Sequence, residues 1–88
     1  MPTIAIFFGF TIQMYWRDHP PPHIHVFYAG AEALVAIDSG EIIAGSLPRG
    51  AARLIREWIS VQRPALRANW ERARLLQALD QVPGADEA

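Results

Sequence analysis

The stretch FTIQMYW, residues 10–16, alternates between apolar and polar side chains and predicts a β-strand. Successive side chains of a strand point to opposite faces, so one face of this strand is expected to pack into a core. That apolar face would consist of Phe10, Ile12, Met14 and Trp16. Four further segments, rich in β-branched and aromatic residues, predict strands at residues 3–8, 23–28, 33–37 and 41–47.

Short connections join the predicted strands. Gly9 and Gly30 mark turns, and the segment DSGE at residues 38–41 predicts a hairpin turn, because glycine adopts a positive φ at little cost. Residues 17–22, with the sequence RDHPPP, are predicted to form a loop, since three prolines donate no backbone hydrogen bonds. Strands connected in this way favour an antiparallel meander.

The hydrophobic pattern changes to helical spacing after Pro48 and predicts two helices. The first apolar stripe consists of Leu54, Ile55, Trp58, Ile59 and Val61. Pro64 is expected to open the second helix, because proline suits the first turn, and Val82-Pro83-Gly84 is expected to end it. The second stripe consists of Leu66, Trp70, Ala73 and Leu76 or Leu79.

The predicted fold class is therefore α+β, a five-stranded antiparallel β-meander followed by two C-terminal α-helices packed on one face. One domain is expected over residues 1–82, with a short flexible C-terminal tail at residues 83–88. The 88 residues suit a single domain, and a hydrophobic content of 51% is typical of a folded chain.

Composition excludes several classes of protein. The chain has no cysteine, which excludes a disulfide framework and thiolate chemistry. The apolar stretch at residues 4–12 is much shorter than the roughly 20 residues of a membrane span. Since a signal peptide is also not recognisable, we expect a cytoplasmic protein.

All eight basic residues are arginine, and seven of them lie within residues 49–74 together with only two glutamates. They are interpreted either as solvated helix surface or as a face that binds RNA or an acidic partner. A pI near 6.3 argues against strong non-specific RNA binding, because neutralisation of phosphates drives such binding.

All three histidines of the chain lie within residues 19–25. His23 and His25 are two residues apart on a predicted strand, so their side chains project from the same face. The adjacent prolines would fix His19 and Asp18 relative to that pair. Three imidazoles and a carboxylate could bind a divalent metal such as zinc or copper.

The same cluster supports two other interpretations. In acid–base catalysis without a cofactor, the three histidines would take up and deliver protons. Arg17 would then stabilise developing negative charge and Tyr15 would orient a phosphate, as in a metal-independent ribonuclease. Alternatively the histidines are half-buried structural side chains and Asp18 only caps a turn.

Motifs along nearly the whole chain resemble a bacterial family of small proteins, domain of unknown function 4160. They are Met-Pro-Thr-Ile at residues 1–4, Phe7-Phe8-Gly9, Met14-Tyr15-Trp16, Asp18-His19, Pro21-Pro22-His23-Ile24-His25, residues 45–48, Glu57-Trp58 and Asn69-Trp70. The resemblance places Tyr15, Asp18, His19, His23 and His25 in the family motif, without an assigned role.

The resemblance implies a component of a type II toxin–antitoxin system, encoded beside another small protein. We therefore expect a toxin-like protein that cleaves or binds RNA and works with a cognate protein from a neighbouring gene. One alternative is a non-enzymatic binding module, such as an antitoxin or adaptor. Another is a small metal-binding protein that uses the histidine cluster. A homodimer could form through exposed sheet edges.

Overall fold

The first half of the chain forms a five-stranded antiparallel sheet in the computed structural model, which describes residues 2–87. The strands follow chain order across the sheet, and each pairs with the next. They are β1 (Thr3–Phe7), β2 (Phe10–Gln13), β3 (His23–Tyr28), β4 (Ala31–Ala36) and β5 (Ile42–Gly45). The predicted antiparallel meander is confirmed.

Two tight turns set the register of the sheet. Phe8-Gly9 joins β1 to β2, and Ala29-Gly30 joins β3 to β4, with positive φ at both residues of each pair. Two successive positive φ angles characterise the type I′ turn, whose twist matches that of the strands it joins. Both turns thereby fix which residues of neighbouring strands stand opposite each other.

β2 is shorter than predicted, since it ends at Gln13 rather than at Trp16. Gln13 pairs with His25, so a longer strand would place Trp16 opposite Pro22. Proline has no backbone N–H with which to continue the ladder. Pro22 therefore prevents pairing as far as Trp16, and residues 14–22 connect β2 to β3, with the N–H of Met14 still donating to the carbonyl of Pro2 at 3.2 Å.

A single helix, α1 (Arg49–Arg74), follows the sheet, so the prediction of two helices is wrong. Pro64, where the sequence predicts the second helix to start, lies inside α1. Ile59 and Leu66 lie on either side of it, and both are fully buried in the core. Their separation is about two helical turns, so an unbroken helix keeps both on the core face. Their burial offsets the hydrogen bond that Pro64 cannot donate.

Replacing Pro64 with Ala is expected to raise the free energy of unfolding by about 1–3 kcal/mol. Alanine restores the missing N–H donor within the helix, and the exposed side chain of Pro64 contributes little to the core. Urea denaturation followed by tryptophan fluorescence measures the change. A loss of stability would instead show that the local shape imposed by proline is needed for both halves of α1 to pack on the sheet.

The core lies between α1 and one face of the sheet. Ile12, Ile24 and Val35 come from three adjacent strands, and each is buried to at least 99%. Ile55 and Trp58 of α1 belong to the same buried cluster. Because side chains alternate along a strand, the sequence neighbours of these residues on β2, β3 and β4 point to the other face of the sheet.

The segment after α1 returns along β1. The N–H of Val82 donates to the carbonyl of Ile4 at 2.8 Å, and Nε1 of Trp58 donates to the carbonyl of Pro83 at 2.8 Å. Gly84 is buried against Phe7. These contacts cover part of the outer edge of β1. The predicted domain and tail also include Met1 and Ala88, which lie outside the described residues.

Candidate functional site

The loop between β2 and β3 brings Asp18 close to the start of β3. Arg17 has a φ of 55°, in the left-handed region, and its N–H donates to the carbonyl of Ala73 in α1 at 3.4 Å. This contact holds the loop against the C-terminal end of α1. Oδ1 of Asp18 accepts the backbone N–H of His19 at 2.9 Å, which leaves Oδ2 free to face the strand.

His23 and His25 project from the face of the sheet opposite the core. They alternate along β3 with Ile24 and Val26, which are core residues. Both histidines are nevertheless buried, with exposed fractions of 4% and 8%. The predicted projection from a common face is therefore the observed one, and both side chains lie beneath the surface.

Two aromatic side chains lie against the histidines. The ring of Tyr15 stacks on the ring of His25, with 4.0 Å between the centroids. The ring of Trp70, from α1, lies 5.3 Å from that of His23. The loop and the helix thus enclose an imidazole pair that the sheet alone would leave open to solvent.

One carboxylate oxygen, Oδ2 of Asp18, contacts both imidazoles. It lies 3.0 Å from Nε2 of His23 and 2.8 Å from Nε2 of His25. The ligand-type atoms of these three residues all lie within 4.8 Å of one another. The fold therefore brings together three of the four residues predicted for a metal site.

The protonation of His23 follows from its second hydrogen bond. Nδ1 of His23 lies 2.8 Å from the carbonyl oxygen of Pro21, which can only accept, so Nδ1 carries a proton. In a neutral ring, Nε2 then presents a lone pair to Oδ2 of Asp18. The 3.0 Å contact between Nε2 and Oδ2 therefore fits either a second ring proton on His23 or a cation bound between the two atoms.

His25 has one ring nitrogen without a hydrogen-bond partner. Its Nδ1 is buried and unpaired among the described residues, although Nε2 contacts Asp18. The nearest carboxylate oxygen on that side is Oε2 of Glu32, at 3.8 Å. This distance exceeds that of a hydrogen bond. His25 is thus held at one nitrogen only.

The pKa of Asp18 is lower than its ordinary value. Partial burial alone would raise this pKa, but hydrogen bonds from His25 and from the N–H of His19 outweigh it, assisted by the positive charge that the imidazoles carry when protonated. Burial raises the pKa of Tyr15, and the charges of Glu32 and Asp18 add to the effect. At neutral pH the site therefore holds an ionised Asp18 and a protonated Tyr15.

A small cleft connects Asp18 to the surface. It is lined by Tyr15, Asp18, Trp70, Ala73 and Arg74, and its volume of about 10 Å³ accommodates about one water molecule. Of the three convergent residues, Asp18 lines this cleft. The imidazoles of His23 and His25, with exposed fractions of 4% and 8%, offer almost no surface to a large substrate.

Arg17 and His19, also predicted as site residues, are exposed on the loop on either side of Asp18. His19 is not one of the residues whose ligand atoms converge within 4.8 Å in residues 2–87. Sequence reasoning missed Glu32 and treated Trp70 only as core. The turn at Ala29-Gly30 could have identified Glu32, because this turn determines which β4 residues lie near His25.

The arginines of α1 are largely paired within the chain. Salt bridges of 2.6 to 3.4 Å join five of the seven to carboxylates: Arg53–Glu57, Arg56–Glu41, Arg67–Asp38, Arg72–Asp80 and Arg74–Glu71. Arg63 donates to the carbonyl of Ile37 at 2.9 Å. RNA binding by this face stays a prediction, and the pairing reduces the positive charge available to phosphates.

Comparisons with known proteins identify the family. No curated protein and no solved structure matches the chain. Within residues 2–87, no helix combines the length and the apolar character that a membrane span requires. A family model described as Domain of unknown function (DUF4160) matches residues 9–71, which include Asp18, His23 and His25. Since this match covers more than half of the chain, the protein belongs to the DUF4160 family.

Proposed function

We propose that the protein binds one divalent transition-metal ion through Asp18, His23 and His25. The observation that carries the proposal is the orientation of His23, whose Nδ1–H donates to the carbonyl of Pro21 while Nε2 faces an anionic oxygen at 3.0 Å. Histidine ligands of metal ions characteristically donate their other ring N–H to a backbone carbonyl or carboxylate. In this arrangement the metal ion, rather than a second ring proton of His23, would link Nε2 to Oδ2.

The donor set favours zinc and related first-row ions over magnesium or calcium, since two imidazoles and one carboxylate are ligands typical of the former. Ligand atoms about 2.0–2.2 Å from a tetrahedral zinc are about 3.3 Å apart. The observed contacts of 2.8 and 3.0 Å are a few tenths of an ångström shorter. A small withdrawal of the Asp18 carboxylate, which lies on a loop, would accommodate the ion.

Three protein ligands leave one position of a tetrahedral ion open. The cleft beside Asp18 accommodates about one water molecule, so a bound water would occupy that position. This arrangement, with three protein ligands and a water, is typical of catalytic rather than structural zinc sites. A metal there would supply Lewis acidity and lower the pKa of its water, which are the requirements for hydrolysis.

Calorimetric titration of the untagged, chelator-treated protein with zinc chloride tests the proposal. We expect one zinc ion per chain. The matched control is His19→Ala, which removes an exposed histidine outside the convergent group and should bind zinc as the unmodified protein does. Absence of binding, or its loss in His19→Ala, would contradict the assignment of these three ligands.

The second candidate function is the toxin-like one that the family resemblance implies, with RNA as its target. It is favoured by the exposure of Arg17 and His19 on either side of Asp18, which offers a phosphodiester both a cation and an imidazole. A cognate protein would be expected to cover exposed apolar side chains such as Phe8 and Val61, which are 60% and 73% exposed.

Induced expression of the chain alone in a bacterial host is expected to arrest growth if this second function is right. Co-expression of the neighbouring gene should restore growth, and Arg17→Ala combined with His19→Ala should relieve the arrest without loss of folding. Unaffected growth would contradict the toxin-like function and leave the metal proposal standing, because zinc binding does not depend on Arg17 or His19.

A further inference from the structure

We infer that Glu32 is a positioning residue of this centre, to which His25 donates a hydrogen bond only when a metal ion is bound. The inference rests on the proposed metal site and adds an outer carboxylate to it. It also gives a role to Nδ1 of His25, which is buried without a hydrogen-bond partner in residues 2–87 and is not one of the three proposed ligand atoms.

The register of the sheet places Glu32 on the same face as His25. β3 and β4 pair Phe27 with Glu32 and His25 with Leu34. Glu32 is thus a diagonal cross-strand neighbour of His25, at a separation that long side chains can bridge. Its side chain is 56% exposed, so it retains freedom to move closer.

The metal-free geometry explains why Nδ1 of His25 and the carboxylate of Glu32 do not form a hydrogen bond. Nε2 of His25 lies 2.8 Å from the ionised Asp18, which can only accept, so a neutral His25 ring has its single proton on Nε2. Nδ1 then presents a lone pair to the carboxylate of Glu32. Two acceptors do not attract each other, and the 3.8 Å separation is consistent with that.

A metal ion reverses the arrangement, because it binds the unprotonated Nε2. The proton on Nε2 passes to solvent, and a proton from solvent is taken up at Nδ1, so the ring stays neutral. Nδ1 becomes a donor that faces Oε2 of Glu32, and a movement of less than about 1 Å closes the gap to hydrogen-bond distance. The pair would then form the carboxylate–histidine–metal arrangement common in zinc proteins.

The charges of the occupied centre also favour a role for Glu32. A divalent ion carries two positive charges, and Asp18 supplies one negative charge. His23 donates to the neutral carbonyl of Pro21, so it adds none. Glu32 supplies the second negative charge close to a largely buried ion, where an uncompensated charge is costly.

Zinc affinity in variants of Glu32 tests the inference. Glu32→Ala removes both the acceptor and the charge and is expected to weaken zinc binding about 10–100-fold, the range for outer partners of metal ligands. Glu32→Gln keeps an acceptor oxygen and should lose less. Glu41→Ala is the matched control, since Glu41 is another exposed carboxylate, 62% exposed and paired with Arg56. It should leave the affinity unchanged.

Nitrogen-15 NMR of the His25 ring gives a second measurement that a merely structural role of Glu32 would not affect. The proton should be on Nε2 in the metal-free protein and on Nδ1 with zinc bound. In Glu32→Ala the zinc-bound Nδ1–H should exchange faster with solvent, because it lacks an acceptor.

The outcomes separate the two proposals. Equal zinc affinity of Glu32→Ala and Glu41→Ala, or a proton that stays on Nε2 of His25 in the zinc-bound protein, would overturn the role of Glu32 and leave the metal site standing. Failure of the unmodified protein to bind zinc would remove the metal site, and the role of Glu32 with it.

Discussion

Replacing Asn69 with Ala is expected to lower the free energy of unfolding by about 2–5 kcal/mol. The side chain of Asn69 is completely buried in α1 and holds the segment that follows the helix. Its Nδ2 donates to the carbonyl of Asp80 at 2.8 Å, and its Oδ1 accepts the N–H of Asp80 at 2.9 Å. Arg72 also donates to Oδ1, at 3.1 Å. Alanine would remove all three hydrogen bonds and leave a cavity.

The magnitude matters because a domain of this size has a total stability of only about 5–15 kcal/mol. Losing the Asp80 contact should also loosen Val82, whose N–H pairs with Ile4 of β1. Urea denaturation followed by tryptophan fluorescence measures the change. Ser60→Ala, at an exposed position of the same helix, is the control and should change stability by less than about 0.5 kcal/mol.

A result for Asn69→Ala that resembles the control would show that the C-terminal segment is not held through this amide. Hydrogen exchange of the Val82 amide would then decide between two explanations. Protection that persists means that Val82 is held by its own contacts with β1. Protection that is lost together with unchanged stability means that the segment contributes nothing to global folding.

The sheet could be predicted from sequence because its signals are local. The alternation that starts at Phe10 predicts β2, although not its end at Gln13, and the glycines at positions 9 and 30 predict the turns. The helix could not be predicted correctly, because the effect of Pro64 depends on the burial of Ile59 and Leu66 against the sheet. Local propensity favours a break at proline, and tertiary packing outweighs it.

In the candidate site, too, some features follow from local sequence and others depend on tertiary contacts. The pairing of His23 with His25 follows from the two-residue period of a strand, which is a local property. The exclusion of His19 could not be inferred, because it depends on how Arg17 turns the loop against α1. Glu32 lies on the next strand, and only the register of the β3–β4 turn connects it to His25.

Asp18→Asn is expected to weaken zinc binding more than about 100-fold, beyond the range for an outer residue such as Glu32. The substitution replaces an anionic ligand by a neutral amide, whose oxygen is a much weaker zinc ligand. The fold should be retained, because the amide has nearly the same shape. Its oxygen can still accept from Nε2 of His25, which lies 2.8 Å from the carboxylate. Titration with zinc chloride measures the affinity.

The comparison of Asp18→Asn with Glu32→Ala distinguishes a ligand from a residue that acts through one. A ligand contacts the ion, so its loss removes both charge and coordination, whereas loss of Glu32 only releases the ring of His25. Urea denaturation of the metal-free variants is the control, and both should unfold within about 1 kcal/mol of the unmodified protein. Equal losses of zinc affinity in the two variants would contradict direct coordination by Asp18. Oδ2 of Asp18 would then serve only as the hydrogen-bond acceptor between His23 and His25 in a structural cluster.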